Sequence, residues 1–443
     1  MRRYARYLAL PAFAVLAIAG AEFWYDGEGA AVAATDLRSP EFGPRDFAAS
    51  VSEQEAQLSA ARSRAERRPQ DWLAQAVLAR ALSERSGLLG DFDALVAAQR
   101  HIALAESSAP ERSGPGLIAA HVYMGAHLLD EAEAALDIYD SKVIGGTEEE
   151  RAEAVAIRGD IAFYRGDMAM AQERYAEARR LAAMPGVIYR EALLAKAQGR
   201  FDDAEQLFHR SLNAMASPGP RQVANVAIQL GGIDQARGQY EAAREHFVEA
   251  DRFFPGFWLF EAHVAQGDYL TGRTDAALER LEAMLEDDQP VDIAELYALL
   301  LQAEGRDEEA RRWATGATAI WDERLEALPE AAYGHAIEHH FKFGSATRAL
   351  ELAQRNLALR PYGEAQLLMA EAYLENDRPA EALSVIRRAK RQGWLSAPHL
   401  RAEINALEAL GRDEEARPLR EEAEAINPHV FGPLSELVWF SHG

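Results

Sequence analysis

The chain has 443 residues, with 71 Asp and Glu against 47 Lys and Arg, a formal net charge of −24 and no cysteine. That balance disfavours association with nucleic acid or an anionic membrane surface, and the missing cysteine excludes disulfide staples, thiolate metal sites, cysteine nucleophiles and a lipid-anchored leader. Alanine, leucine and glutamate dominate and alternating β-branched runs are almost absent, so an all-α fold with little or no sheet is expected.

Residues 1–33 read as a leader with a short linker. Arg2, Arg3 and Arg6 precede an apolar stretch from Leu8 to Ala21, and Ala17-Ile18-Ala19 and Ala19-Gly20-Ala21 both satisfy the small-residue rule for signal cleavage. The stretch suits a signal peptide better than a membrane span, which needs about 20 residues. A retained anchor is the alternative, with Phe23, Trp24 and Tyr25 at the far interface. Either way the remaining chain is expected outside the cytoplasm, periplasmic or anchored in an inner membrane and facing the periplasm. The twin arginine lacks the fuller pattern of a Tat signal.

Asp46 to Arg68 forms an amphipathic helix expected to be an N-terminal cap, and Pro69, Trp72 and Ala79 begin another helix. Gly90, Phe92 and Ala94 mark a stretched, degenerate unit, so 46–116 reads as a cap plus one imperfect repeat. From residue 117 to 428 a phrase recurs: a turn residue, then alanine five positions later. The copies are Gly166/Ala171, Gly199/Ala204, Gly238/Ala243, Gly272/Ala277, Gly305/Ala310, Gly344/Ala349 and Gly411/Ala416, with Asp377/Ala382 keeping register. His127/Ala132 extends the series upstream, with Leu136 where other units place a ring. The spacing is 33, 34 or 39 residues, and the longer intervals are expected to hold extra loop residues, as around Ser217-Pro218-Gly219-Pro220.

Each unit predicts two helices. A glycine ends the first by adopting the left-handed conformation at no steric cost. The alanine lies where the two helices approach most closely, and Tyr175, Phe208 or Phe247 one turn later fills the groove between them. Pro255, Pro361 and Pro428 each stop a second helix. No single pair buries enough surface to stand alone, so about ten pairs are expected to stack. Residues 429–443, ending in Leu437, Val438, Trp439 and Phe440, are expected to cover the open end of the last unit, with partner docking as the alternative.

The glycine, the alanine, the ring and the closing proline resemble the tetratricopeptide repeat. The resemblance implies a right-handed α-solenoid of stacked helix-turn-helix repeats whose concave face is lined by the first helix of each pair. Carrying the family's groove positions over gives Glu153, Asp160, Phe163 and Tyr164, then Tyr189, Gln235, Gln266 and Tyr269, then Asp292, Glu295, Glu338, Glu364 and Glu371. The set is acidic and aromatic with few cations. Family members that clamp a terminal carboxylate use lysine and asparagine there, and this chain departs from that pattern. The resemblance therefore implies a non-enzymatic scaffold with no cofactor; with the leader and the acidic balance, it is expected in the cell envelope, binding a basic and apolar peptide or protein on that face.

Two other functions compete with this one. His335-Ala336-Ile337-Glu338-His339 matches H-x-x-E-H, in which two histidines one helical turn apart bind metal and the glutamate activates water. The string falls inside a repeat helix that needs Ile337 and Phe341 for packing, so structural histidines are expected instead. Self-association through the termini or convex face is the other. Runs such as Arg306-Asp307-Glu308-Glu309 are expected to offset the helix dipole at second-helix starts. No phosphate-binding loop, nucleophile elbow or dinucleotide fingerprint occurs.

Overall fold

The computed structural model describes residues 37–142, 145–285 and 290–438; the leader and Trp439 and Phe440 lie outside these. The described residues contain twenty-one α-helices and no strand. A leading helix, α1 (Phe47–Arg67), is followed by ten pairs. The first five are α2 (Trp72–Leu89) with α3 (Phe92–Ser108), α4 (Leu117–Gly125) with α5 (Leu129–Asp140), α6 (Glu148–Tyr164) with α7 (Met168–Leu181), α8 (Pro185–Ala197) with α9 (Phe201–Asn213), and α10 (Pro220–Ala236) with α11 (Tyr240–Phe253). The last five are α12 (Trp258–Leu270) with α13 (Thr274–Leu285), α14 (Val291–Ala303) with α15 (Asp307–Ala327), α16 (Pro329–Phe343) with α17 (Ala346–Leu359), α18 (Gly363–Leu374) with α19 (Pro379–Arg391), and α20 (Ala397–Ala409) with α21 (Asp413–Ile426). Each helix packs on its neighbours in sequence and the first helices pack on one another, which makes an α-solenoid. Among the described residues no helix is long and apolar enough to cross a membrane.

Local chemistry sets the pairs. Asp46 caps α1 by accepting from the Ala49 amide at 2.7 Å. Thr147 and Glu150 form a reciprocal capping box on α6. At the turn inside a pair, Gly166, Gly199, Gly238, Gly272, Gly305 and Gly411 all have φ between +69° and +82°. The backbone then closes with two bonds, as where the Gly166 amide donates to the Phe163 carbonyl and the Asp167 amide to the Ala162 carbonyl. His127 and Asp377 take the same conformation, with φ of 60° and 55°, and the same bonds, despite carrying a Cβ. Gly344 is the exception. Its φ is −121°, its amide reaches back to His340, and Ser345 caps α17 instead, so the expected left-handed turn is absent there.

The eight alanines of the phrase after Gly166 are all buried, and so are Tyr175, Phe208 and Phe247. The first helix yields space to two of the rings. A Cβ at Gly159 would collide with the Tyr175 ring and one at Gly231 with the Phe247 ring. The extra residues of the interval from Gly305 to Gly344 lie in α15, which runs 21 residues, rather than in a loop.

The solenoid closes on itself. The turn of the second pair shares an apolar cluster, Phe92, Leu95, Ala126, Leu328 and Ala331, with the junction leading into the eighth. At Gly166, the third turn, a Cβ would strike the Pro361 carbonyl at the start of the ninth pair. Beside Gly199, the fourth turn, the Leu395 amide donates to the Ala197 carbonyl at 3.1 Å, at the start of the tenth pair. The fifth turn, Gly238, meets Asn427 beyond α21, and Tyr240 stacks on His429 with ring centroids 5.3 Å apart. Each turn thus rests on the junction six pairs further on, and we call this line of contacts the seam. The N-terminal segment continues it: the Glu41 amide bonds the Pro218 carbonyl at 2.8 Å, and Phe47 packs on Phe257.

Candidate functional site

The inner face follows from the repeat phase. Thirteen residues before the turn stand Glu153, Asp292 and Glu364; six before it stand Asp160, Gln266, Glu338 and Glu371; three before it stand Phe163, Lys196, Gln235 and Tyr269. Offsets of three and seven keep these on one stripe of each first helix. What each side chain can do depends on how completely the closed superhelix uses it.

In the first half the fold uses nearly all of them. Arg190 on α8 clamps both carboxylates of α6, with Nη2 to Glu153 Oε1 at 2.7 Å and Nε to Asp160 Oδ2 at 2.9 Å, and the Tyr175 hydroxyl donates to Asp160 at 2.9 Å. Burial pushes the Asp160 carboxyl up to about 6 against the pull of Arg190. Glu153 is equally enclosed, but Arg190 and His121 outweigh burial and hold it below the ordinary glutamate value. Phe163 and Tyr164 are buried in the seam, Phe163 against Trp394 with centroids 5.2 Å apart and Tyr164 against Tyr362 at 5.1 Å. Tyr189 packs edge-on to Phe208, buried Gln266 donates to Gln235 at 2.9 Å, and the Tyr269 hydroxyl donates to Glu304 at 2.7 Å. These groups hold adjacent pairs in register.

The H-x-x-E-H string is likewise built into packing. His339 places Nδ1 2.6 Å from Glu295 Oε1 and Nε2 2.8 Å from Thr318 Oγ1, so both ring nitrogens are engaged. His335 stacks on Trp321, which donates its indole N–H to Glu295 at 2.7 Å. Burial, reinforced by Asp292, pushes the Glu295 carboxyl well up, and burial pushes His335 and His339 down, to about 3 and about 4. Among the described residues no group of three His, Asp or Glu side chains is arranged to hold a metal ion.

Glu338, Glu364 and Glu371, from α16 and α18, differ. They are surrounded by protein yet remain partly accessible, with 25% of the Glu338 side chain and 30% of the Glu371 side chain exposed, so they face the axial space of the superhelix. Burial pushes Glu364 and Glu371 each up to about 7. Glu338 is pushed further, by burial and then by the charges of Glu295, Glu364, Glu371 and Asp292. The three carboxyl groups therefore form one acidic patch that retains protons near neutral pH.

Cations missing from the sequence reading surround the patch. Lys196 projects from α8 toward Glu364 and donates to Gln229 at 3.1 Å. Arg401 lies 3.8 Å from Glu371 but binds Glu436 at 2.9 Å, and Lys342 binds Glu436 at 3.2 Å. Lys196 occupies the repeat position of Phe163 and was legible by the same phase. Arg190 and Arg401 were not, since no repeated pattern marks them. Val430 packs under α20 and α21, whereas Leu437 at the end of the 3-10 turn Pro433–Leu437 reaches the central pairs beside Phe343.

A tetratricopeptide-repeat family model matches residues 187–250, the fourth and fifth pairs. No curated protein sequence matches this chain significantly. Among solved structures the chain is similar to a Rap protein complexed with competence and sporulation factor, at 13% identity and TM-score 0.42, over 73% of this chain and 98% of that one. It is also similar to yeast Tom70, at 14% identity and TM-score 0.41, over 84% and 87%. A third is TTC0263, a thermophilic repeat protein of the same type from Thermus thermophilus, at 19% identity and TM-score 0.31, over 45% and 98%.

Proposed function

We propose that this chain, whose fourth and fifth pairs match the tetratricopeptide-repeat model, is a non-enzymatic scaffold of the cell envelope whose acidic inner patch receives a basic, apolar segment of a protein partner. Proteins of this family generally mediate protein–protein interaction. The observation that carries the finer reading is the grouping of Glu338, Glu364 and Glu371 in the axial space, where Glu364 and Glu371 raise the proton affinity of Glu338, and Glu364 that of Glu371. A site that holds protons so firmly gains when a lysine or arginine replaces them. The overall charge of −24 supports faster encounter with such a partner. Envelope location is supported by the leader alone, with its basic start, apolar stretch and small-residue cleavage sites.

Affinity capture from solubilised envelope with the full chain, run beside a Glu338→Gln/Glu364→Gln/Glu371→Gln variant, tests both parts. A partner retained by the parent and lost by the variant supports the reading. A partner held equally by both moves the interaction to another face, and N-terminal sequencing of the recovered chain decides whether the leader is cleaved.

A further inference from the structure

We propose that the seam between the third and fourth pairs and the ninth and tenth opens as a gate, and that it uncovers a composite aromatic and acidic surface for a segment in which a basic side chain neighbours a large apolar one. The inference rests on the reading that Glu338, Glu364 and Glu371 receive a cationic partner.

Three observations carry it. First, the aromatic seam and the acidic patch are contiguous. Tyr362, which packs on Phe163, Tyr164 and Trp394, stands two residues before Glu364 and is close enough to feel the charges of both Glu364 and Glu338. A segment lying across Tyr362 would present its apolar groups to Phe163, Tyr164 and Trp394 and its cation to the carboxylates. Second, the closed seam leaves polar groups unsatisfied. The Trp394 indole N–H and His127 Nδ1 are buried there, 5% and 6% exposed, with no hydrogen-bond partner in the protein. Such groups favour separation of the two surfaces, and the indole can donate to a main-chain carbonyl of an incoming segment. Third, the two sides are joined by little main-chain bonding. The Leu395 amide to Ala197 carbonyl bond at 3.1 Å crosses the seam, and around it the contacts are apolar side chains, with Trp394 and Ala389 sharing one cluster with Phe163, Met168 and Leu194, and glycine on carbonyl, which part as rigid bodies.

The chain has no cysteine, so one pair of introduced cysteines reports without background. The Leu395–Ala197 bond brings the two backbones into direct contact, which makes this pair the choice for a cross-link across the seam. An Ala197→Cys/Leu395→Cys full-length chain would be titrated, oxidised and reduced, with a fluorescein-labelled peptide of alternating lysine and leucine. The gate predicts that oxidation weakens binding by more than about tenfold and that reduction restores it. Equal binding by both forms, lost in the Glu338→Gln/Glu364→Gln/Glu371→Gln background, overturns the gate and leaves the acidic reading standing. No binding by either form or by the parent overturns both. Should the double variant misfold, hydrogen exchange on the unmodified chain decides: peptide must accelerate exchange of the segment containing the Leu395 amide, and unchanged or slower exchange overturns the gate.

Discussion

The Leu395 amide donates to the Ala197 carbonyl at 3.1 Å, joining the fourth helix pair to the tenth. This bond belongs to a relationship that repeats three more times, each turn meeting the junction six pairs further along. It makes a repeat array, in which neighbours ordinarily touch only neighbours, into a closed body with an axial space. Replacing Trp394 by alanine should therefore do more than remove a buried ring worth about 3–5 kcal/mol. Solution scattering should show a larger radius of gyration with helicity by circular dichroism retained; an unchanged radius would mean the seam adds no constraint.

Gly166 and Gly305 are equivalent in sequence and in conformation, with φ of +77° and +72°, but not in surroundings. A Cβ at Gly305 meets nothing within 4 Å, whereas one at Gly166 strikes the Pro361 carbonyl across the seam. Gly305→Ala should cost about 1–2 kcal/mol, the left-handed penalty alone. Gly166→Ala should cost at least twice as much by urea denaturation, and equal losses would show that the third turn does not bear on the ninth pair.

That comparison marks the limit of what could be read from the chain. The pairs were legible because turn, alanine, ring and proline act over a few residues, and even His127 and Asp377 were placed correctly at left-handed turns. The closure was not, because it accumulates from a small rotation at every pair and leaves no local mark on Gly166. Gly344 misled for the opposite reason: it keeps the spacing while Ser345 and His340 supply a different turn. Among the groove residues, phase identified the inner stripe but could not tell Phe163, spent in the seam, from Glu338, turned toward the axial space.

Stability should peak at a pH near about 6 to 7, from two opposed sets of groups. Burial holds Glu364 and Glu371 at about 7 in the folded protein, so the folded state keeps protons that the unfolded chain releases above the ordinary value of 4.5. Their contribution is full below that value and is lost as pH rises through 7. Discounted for partial exposure, the loss is on the order of 1 kcal/mol each and falls between about pH 4.5 and 7. Burial pushes His339, His340 and His399 down to about 4 and His335 to about 3, so stability falls as pH drops below their ordinary 6.5. Chemical denaturation across pH should show the histidine gain partly offset by the carboxyl loss between about pH 4.5 and 7, and Glu364→Gln/Glu371→Gln should steepen the rise of stability with pH. An unaltered slope would place the titration elsewhere.

His339 is treated by the fold as a partner of Glu295 and Thr318. His339→Ala should therefore lower stability by about 1–3 kcal/mol, the cost of leaving buried partners unsatisfied. Adding zinc or a chelator to the parent chain should leave its melting temperature unchanged. A rise with zinc that disappears in His339→Ala would contradict this and restore the metal reading of the H-x-x-E-H string.

The central claim is that Glu338, Glu364 and Glu371 act together on a cationic segment. Its most direct measurement is the affinity of the labelled lysine–leucine peptide for the parent chain and for the Glu338→Gln/Glu364→Gln/Glu371→Gln variant, each at about 50 and 500 mM salt, a span over which screening shortens markedly. The account predicts at least about tenfold weaker binding by the variant at low salt, and a parent affinity that falls toward the variant's as salt rises. Equal affinity of the two proteins at both salt concentrations would contradict it.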